Sequence, residues 1–318
     1  MTTLVNVDNF ALAETHRMMG ALQSDAGGVN RFLHNREPAA IDKQTVIRLN
    51  RDTLYSFAVV DISAGATLTI PAHGDRYLSA MVVNENHYVN AIFHDAGEYR
   101  LTQEQFDTPH VGIAVRVLVD PMDPHDVAAV ATIQDGITLV ADSSNPFEAP
   151  AYDTTSLDET RAALLSLARN LTGFDRMFGS AEEIDPVRHL IGTAAGWGGL
   201  PSSEASYIGV DPRLPVGQYE LTVGDVPVDG FWSISVYNAD GFFEPNERGA
   251  YTINNITGTR NDDGTTTVRF GDYPADVPNV IPITDGWNYL VRLYRPRQEV
   301  LDGDWTFPTL TTDTDPLA

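Results

Sequence analysis

The chain has 318 residues, 42% of them hydrophobic, and a formal net charge of −24. A surface this acidic repels phosphate backbones and anionic lipid, so neither nucleic acid nor a membrane surface is an expected partner. The absence of cysteine excludes disulfides, thiolate nucleophiles and cysteine metal sites.

The mean hydropathy of −0.18 describes a soluble globular chain, and no apolar run approaches the ~20 residues of a spanning helix. Asp8 interrupts Met1–Phe10 before a secretory core can form, so a cytoplasmic location is expected for the sequence as it stands; an exported form that has lost its leader is compatible with it. Lys43 is the only lysine. Adaptation to high salt would account for that charge balance, and so would arginine-preferring codons with an ordinary acidic surface.

The predicted elements begin with a helix. Asp8 or Asn9 can cap it, Ala11, Leu12, Thr15, Met18, Met19 and Leu22 fall at helical spacing, and Gly27-Gly28 ends it. From Thr45 the period changes to short apolar segments: Val46–Leu49, Leu54–Ile62, Thr67–Ile70, Tyr77–Val83, Tyr88–Phe93 and Ile113–Val119. Short strands at such spacing predict an antiparallel sandwich or barrel. A helix is predicted from Pro124 to about Ile133. Ser143–Thr155 reads as a connector, and Ser156-Leu157-Asp158-Glu159 as a capping box for a helix with Leu157, Leu164, Leu165, Ala168 and Leu171 on its apolar stripe. A further helix is expected over Ala181–Ile191, and Gly196–Pro201 must be irregular.

Strands return at Gly217–Val223, Phe231–Tyr237, Tyr251–Ile256, Thr265–Phe270 and Tyr289–Tyr294, with Asp262-Asp263-Gly264 as a hairpin turn. Within Val226–Asn238, Trp232, Ile234 and Val236 share an apolar face; Phe231, Ser233, Ser235 and Tyr237 share one that suits a lined cavity or a half-wet surface. The expected organisation is a β-rich domain over 1–142, a helical connector over 143–200 and a second β-rich domain over 201–318.

The order of motifs resembles a known pair of domains of unknown function, the twelve-fifty-four and twelve-fourteen domains, often fused in one chain. Asn50–Ser56, Asp61 and the Pro71–Tyr77 turn resemble the N-terminal member. Gly196–Pro201, Val226–Asn238, Tyr251–Ile256, Asp285–Tyr289, Val291–Pro296 and Leu301–Pro308 resemble the C-terminal one. The resemblance implies a jelly-roll-like sandwich for the C-terminal domain, a β-rich N-terminal domain and, by analogy of fold, a hydrolase or carbohydrate-related role.

Familiar catalytic signatures are absent: no G-x-S-x-G elbow, no P-loop, no dinucleotide fingerprint, no H-E-x-x-H. Polar residues cluster instead. Asn84, Asn86, Tyr88 and Asn90 would share one face of an extended strand and suit a hydroxyl-rich ligand, whereas a turn at Asn84-Glu85-Asn86 would spend the amides on local backbone. His73, His87 and His94 could supply a general base or, as a weaker option, a metal site, although their spacing matches no standard metal-ligand pattern. Asp52 is a candidate acid or the partner of Arg51 or Arg76. Arg292 and Tyr294 share a strand face and could clamp a carboxylate; the alternative is a buried Arg–Asp pair, with Asp229 as partner.

The expected function is a hydrolase-like enzyme acting on a small polar or carbohydrate-like molecule in an inter-domain cleft. Arg51, Asp52, His73 and His87 would serve as acid, base or positioning groups, and Tyr55, Asn86, Tyr88, Tyr237, Arg292 and Tyr294 would bind substrate. The alternative is a non-catalytic ligand-binding or assembly module. No cofactor or metal is expected, and a homo-oligomer is compatible with the sequence.

Overall fold

The computed structural model describes residues 2–44, 47–171 and 173–311. The chain divides into two compact units. Unit 1 comprises Met1–Arg36, Leu54–Leu118 and His125–Ser202; unit 2 comprises Glu37–Thr53, Val119–Pro124 and Ser203–Ala318. The architecture is mainly β, with fifteen strands in four sheets among the described residues. None of these sheets closes into a barrel, and no described helix is long and apolar enough to cross a membrane.

Unit 1 opens with α1 (Phe10–Ala26), which buries Phe10, Ala13 and Met19 and ends at Gly27, whose φ of 73° a side chain would strain. Asn9 stands at the N-cap, but its side chain binds Asn6 and Leu4 in the preceding loop and caps nothing. The strands are β1 (Leu33–His34), β2 (Thr53–Asp61), β3 (Ala66–Ile70), β4 (Leu78–Asn84), β5 (Val89–Phe93), β6 (Gly97–Leu101), β7 (His110–Leu118) and β8 (Thr138–Ala141), with a short α2 (Gln103–Phe106) and α3 (Pro124–Gly136) between them. They form sheets of order β1-β2-β7-β4-β5 and β6-β3-β8. β4 and β7 are buried along their whole length and pair antiparallel from Leu78↔Val117 to Asn84↔Val111. That burial on both faces is why they read as mostly apolar runs, with Ser79 and Arg116 as the polar interruptions.

Helices α4 (Thr154–Ala168) and α5 (Pro186–Gly196) complete unit 1 and pack with α1 around Phe10, Leu157, Leu164, Phe178 and Ile191. Both start where a carboxylate can cap them. Asp153 accepts from the Ser156 amide at 2.8 Å, so the cap lies three residues before the expected Ser156. Asp185 accepts from the Val187 and Arg188 amides at 3.0 Å. α5 begins at Pro186 and not at Ala181, because proline has no amide hydrogen and is tolerated only in a first turn. The α4 stripe is narrower than its sequence suggests, since Leu165 is exposed and the helix ends at Ala168, before Leu171.

Unit 2 contains β9 (Ala205–Val210), β10 (Tyr219–Val223), β11 (Trp232–Tyr237), β12 (Thr252–Asn254), β13 (Thr266–Phe270), β14 (Val280–Ile281), β15 (Asn288–Tyr294) and α6 (Gln298–Leu301). One sheet has the order β12-β11-β15-β9, the other β10-β13-β14, with β13 and β14 parallel. Trp232, Ile234, Val236, Val291 and Leu293 from the first sheet share a core with Leu221, Val223, Val268, Phe270 and Ile281 from the second. The turn at Asp262–Gly264 is present, closed by the Gly264 amide on the Asn261 carbonyl. It is not a hairpin, because β12 and β13 lie in different sheets. The strand expected over Val46–Leu49 is absent in its described part: Ile47 and Arg48 form a turn, with Arg48 at φ 54°, and Val46 lies outside the described residues.

Candidate functional site

Five of the candidate residues, Arg51, Asp52, Tyr237, Arg292 and Tyr294, meet on one face of the β12-β11-β15-β9 sheet. Strand alternation sends Trp232, Ile234 and Val236 into the apolar core, as the sequence predicts. The opposite face is not half-wet. Phe231, Ser233, Ser235 and Tyr237 are all buried, and Ile41 and Leu49 from the segment before β2 pack against Tyr237, Phe243 and Leu290.

A directed chain of hydrogen bonds runs across this covered face. The Arg292 Nη1 donates to Ser235 Oγ at 2.8 Å, Ser235 Oγ to Thr252 Oγ1 at 3.2 Å, and Thr252 Oγ1 to Asp52 Oδ1 at 2.8 Å. Asn254 Nδ2 adds a second donor to that same oxygen at 3.1 Å. Arg292 Nη2 donates to the Tyr237 hydroxyl and to the Arg48 carbonyl, both at 2.8 Å, and Tyr237 donates onward to the Leu49 carbonyl at 2.9 Å. A buried cation and a buried carboxylate are thus joined through two hydroxyls without touching, which balances charge in a place where neither could stand alone. Burial works against the Arg292 cation, but Tyr237, Tyr294 and Asp52 outweigh it and hold its pKa above the ordinary arginine value. Burial pushes the Tyr237 phenol up.

The pairings proposed from sequence differ from those found. Asp52 is paired with neither Arg51 nor Arg76. Arg51 lies over the Tyr251 ring at 5.5 Å and donates to the Ala39 carbonyl, and burial lowers its pKa. Arg76 pairs with Asp126. Asp229 takes Arg297 at 2.8 Å, so it is not the partner of Arg292. Tyr294 stacks on Phe231 at 4.1 Å and accepts from Asn50 Nδ2 at 3.0 Å. Arg292 therefore directs both of its Nη atoms to groups of its own chain.

His87, Asn86 and Tyr88 fall in unit 1, in a turn between β4 and β5. The extended row of amides does not form. Asn84 Oδ1 accepts from the Asn86 and Tyr88 amides at 3.0 Å, and His87 sits at φ 65°. The His87 Nε2 accepts from the Gly198 amide at 2.9 Å, so that nitrogen carries no hydrogen, and Nδ1 donates to Thr193 Oγ1 at 2.8 Å. Thr193 donates to the His189 carbonyl. The ring stacks on Trp197 at 5.5 Å and lies 5.3 Å from His189. Burial first, then the charge of His189, holds its pKa well below the ordinary histidine value. Both nitrogens of His87 are thus engaged, and its ring is held neutral. Tyr88 lies 5.3 Å from His189.

The remaining candidates lie apart. His73 places its two ring nitrogens against the Arg76 and His94 carbonyls at 2.8 and 2.9 Å. Tyr55 stacks on Phe57 at 5.6 Å under the Arg116 guanidinium. Among the described residues no group of three or more histidine, aspartate or glutamate side chains is arranged to hold a metal ion.

Two features escaped the sequence reading. One is a half-buried set in unit 1, where Glu85 Oε2 meets His16 Nε2 at 3.0 Å and His16 Nδ1 meets the Tyr152 hydroxyl at 3.0 Å. Burial, then the charge of Glu85, raises the Tyr152 pKa. These residues come from distant segments, and no spacing announces them. The other is a half-open cavity of about 280 Å³ on the apolar side of the β12-β11-β15-β9 sheet, lined by the partly buried Ile208, Val210 and Leu214 and the buried Tyr289, Val291 and Phe307 among others. Its residues look like ordinary core in sequence, because a run of aliphatic side chains does not reveal how well it is filled.

Residues 29–141 match the family described as "Protein of unknown function (DUF1254)", and residues 214–298 match "Protein of unknown function (DUF1214)". The chain is a fused member of this pair, as its motifs imply. Among solved structures, it is similar to the VPA0106 protein from Vibrio parahaemolyticus, with a TM-score of 0.75, 16% identity and 96% of each chain covered. It is also similar to an uncharacterized protein from Burkholderia cenocepacia, with a TM-score of 0.54 and 13% identity, over 94% of this chain and 86% of that one. At these identities the likeness is one of fold. No curated protein matches the chain.

Proposed function

We propose that this fused DUF1254–DUF1214 chain is a non-catalytic ligand-binding module, and that its motif residues are structural. The observation that carries this is the closed hydrogen-bond chain from Arg292 through Ser235 and Thr252 to Asp52, with Arg292 only 3% exposed and Asp52 fully buried. A general acid, base or positioning group must come within hydrogen-bond reach of a substrate, and these groups reach only their own chain. His87 is spent in the same way. The about 280 Å³ apolar cavity supplies what a binding module needs, a concave site with predominantly hydrophobic walls.

The hydrolase-like alternative, with a small polar or carbohydrate-like substrate, keeps one observation in its favour. Asp52 Oδ2 and Ser233 Oγ are both buried without a hydrogen-bond partner in the described chain. A panel of chromogenic esters and glycosides separates the two readings. The module reading expects no turnover by the wild-type protein, and Asp52→Asn then lowers thermal stability only. Turnover that disappears in Asp52→Asn while the melting temperature stays unchanged would establish the hydrolase instead.

A further inference from the structure

We infer that the cavity beside β9 and β15 binds a small, uncharged, largely apolar molecule carrying one hydroxyl or carbonyl oxygen, which the Tyr289 hydroxyl takes up. The inference rests on the binding-module reading and adds the class of ligand.

The walls decide the polarity. Ile208, Val210, Leu214, Val291 and Phe307 present hydrocarbon, and no charged side chain lines the cavity. An ionised ligand would lose its hydration there without gaining a counter-ion, so a carboxylate or an ammonium is rejected. Tyr289 and Thr309 are the polar side chains of the wall, and Tyr289 is the buried one. It lines the cavity and it is 2% exposed. Its ring is held by Phe270 at 5.4 Å and Trp287 at 6.1 Å, so the phenol is fixed in place. Burial alone pushes its pKa to about 12, which keeps it a neutral hydrogen-bonding group at any physiological pH. A neutral phenol in the wall of the cavity can hydrogen-bond a ligand oxygen there.

Volume sets the size. Apolar cavities of ~150 Å³ take up benzene, so about 280 Å³ suits a molecule of roughly twelve non-hydrogen atoms. Fused or linked rings and branched chains of that size carrying an alcohol or a ketone fit the description.

The test uses the full chain and three probes of one shape: naphthalene, 2-naphthol and 2-naphthoate, with binding read by calorimetry or ligand fluorescence. Naphthalene and 2-naphthol should bind saturably, 2-naphthol the tighter, and 2-naphthoate should not bind. Tyr289→Phe should weaken 2-naphthol about 3- to 10-fold, the worth of one hydrogen bond, and leave naphthalene unchanged. Val210→Trp, which fills the cavity, should abolish both; where it does not fold, the Tyr289→Phe comparison decides alone. Equal effects of Tyr289→Phe on the two probes, or tight binding of 2-naphthoate, would overturn the ligand class while leaving the binding module standing. Absence of saturable binding by any of the three would overturn both. Hydrolysis of 2-naphthyl acetate that Asp52→Asn removes without loss of fold would overturn the module reading alone.

Discussion

The two faces of the β12-β11-β15-β9 sheet differ in what they demand of their neighbours. One carries Trp232, Ile234, Val236, Ile253, Tyr289, Val291 and Leu293; the other carries Ser233, Ser235, Thr252, Asn254 and Arg292. Aliphatic groups need no specific partner, so the first face can leave a half-open cavity of about 280 Å³ at one end without stranding a polar group. Hydroxyls, amides and ions do need one, so the second face is closed almost to the last donor by backbone carbonyls, hydroxyls and one carboxylate. Polarity marks the part that is fixed, and its absence marks the part with room for a guest. The binding-module proposal thereby reverses the usual expectation that polar clusters mark function.

The most severe way to break the polar face is to remove its cation. Arg292→Met leaves the Asp52 carboxylate buried without compensation and should cost about 3–5 kcal/mol in denaturant unfolding, while Arg292→Met combined with Asp52→Leu should recover much of that loss. If the double variant is as unstable as the sum of the singles, the two charges are not coupled through Ser235 and Thr252.

Acid tests whether polar groups elsewhere in the chain behave like those of this face. Asp61, in unit 1, is buried; burial pushes its pKa up, but hydrogen bonds from Ser63 and Asn145 outweigh it and hold the value at about 2, against 3.8 for a free aspartate. A depressed carboxylate contributes stability that is present above pH 3.8 and lost as the pH falls towards 2, about 2 kcal/mol in all. His87 acts earlier. Its folded pKa lies well below 6.5, so the folded form resists the proton that the unfolded chain takes up, and stability declines as the pH drops below 6.5. Unit 1 should therefore lose stability in two steps on acidification. Thr193→Val should shift the His87 step, since it removes the acceptor of the Nδ1 hydrogen; an unmoved profile would mean that His87 is not the group titrating.

Ser235→Ala is milder. It cuts the chain in the middle and leaves Arg292 Nη1 and Thr252 short of a partner, for a loss of about 1–3 kcal/mol by thermal melting. The smallest effect has the opposite sign. Val210→Ile adds one methylene group to the cavity wall and should raise stability by about 0.5–1 kcal/mol, as cavity-filling changes do. A destabilising Val210→Ile would show the apolar face to be as tightly packed as the polar one.

Much of the fold was legible in the sequence. Central strands such as β4, β7, β11 and β15 stand out because both of their faces are buried. The strands that escaped, β1, β6, β8, β9 and β14, all lie at sheet edges, where one flank faces no neighbour and the apolar alternation weakens. The site was legible in part. Arg51, Asp52, Tyr237, Arg292 and Tyr294 were picked for their chemistry and do converge, although they are far apart in sequence. Their role was not legible, because the order of hydrogen-bond partners depends on cross-strand register, such as Ser233↔Arg292 and Ser235↔Thr252, which no local pattern encodes.

Thermal unfolding of Asp52→Asn, with and without naphthalene, tests most directly whether the polar face is structural and the apolar face receives the ligand. The variant should melt below the wild-type protein, and saturating naphthalene should raise the two melting temperatures by the same increment. A variant that melts with the wild type, or one that no longer responds to naphthalene, would contradict the division of labour between the two faces.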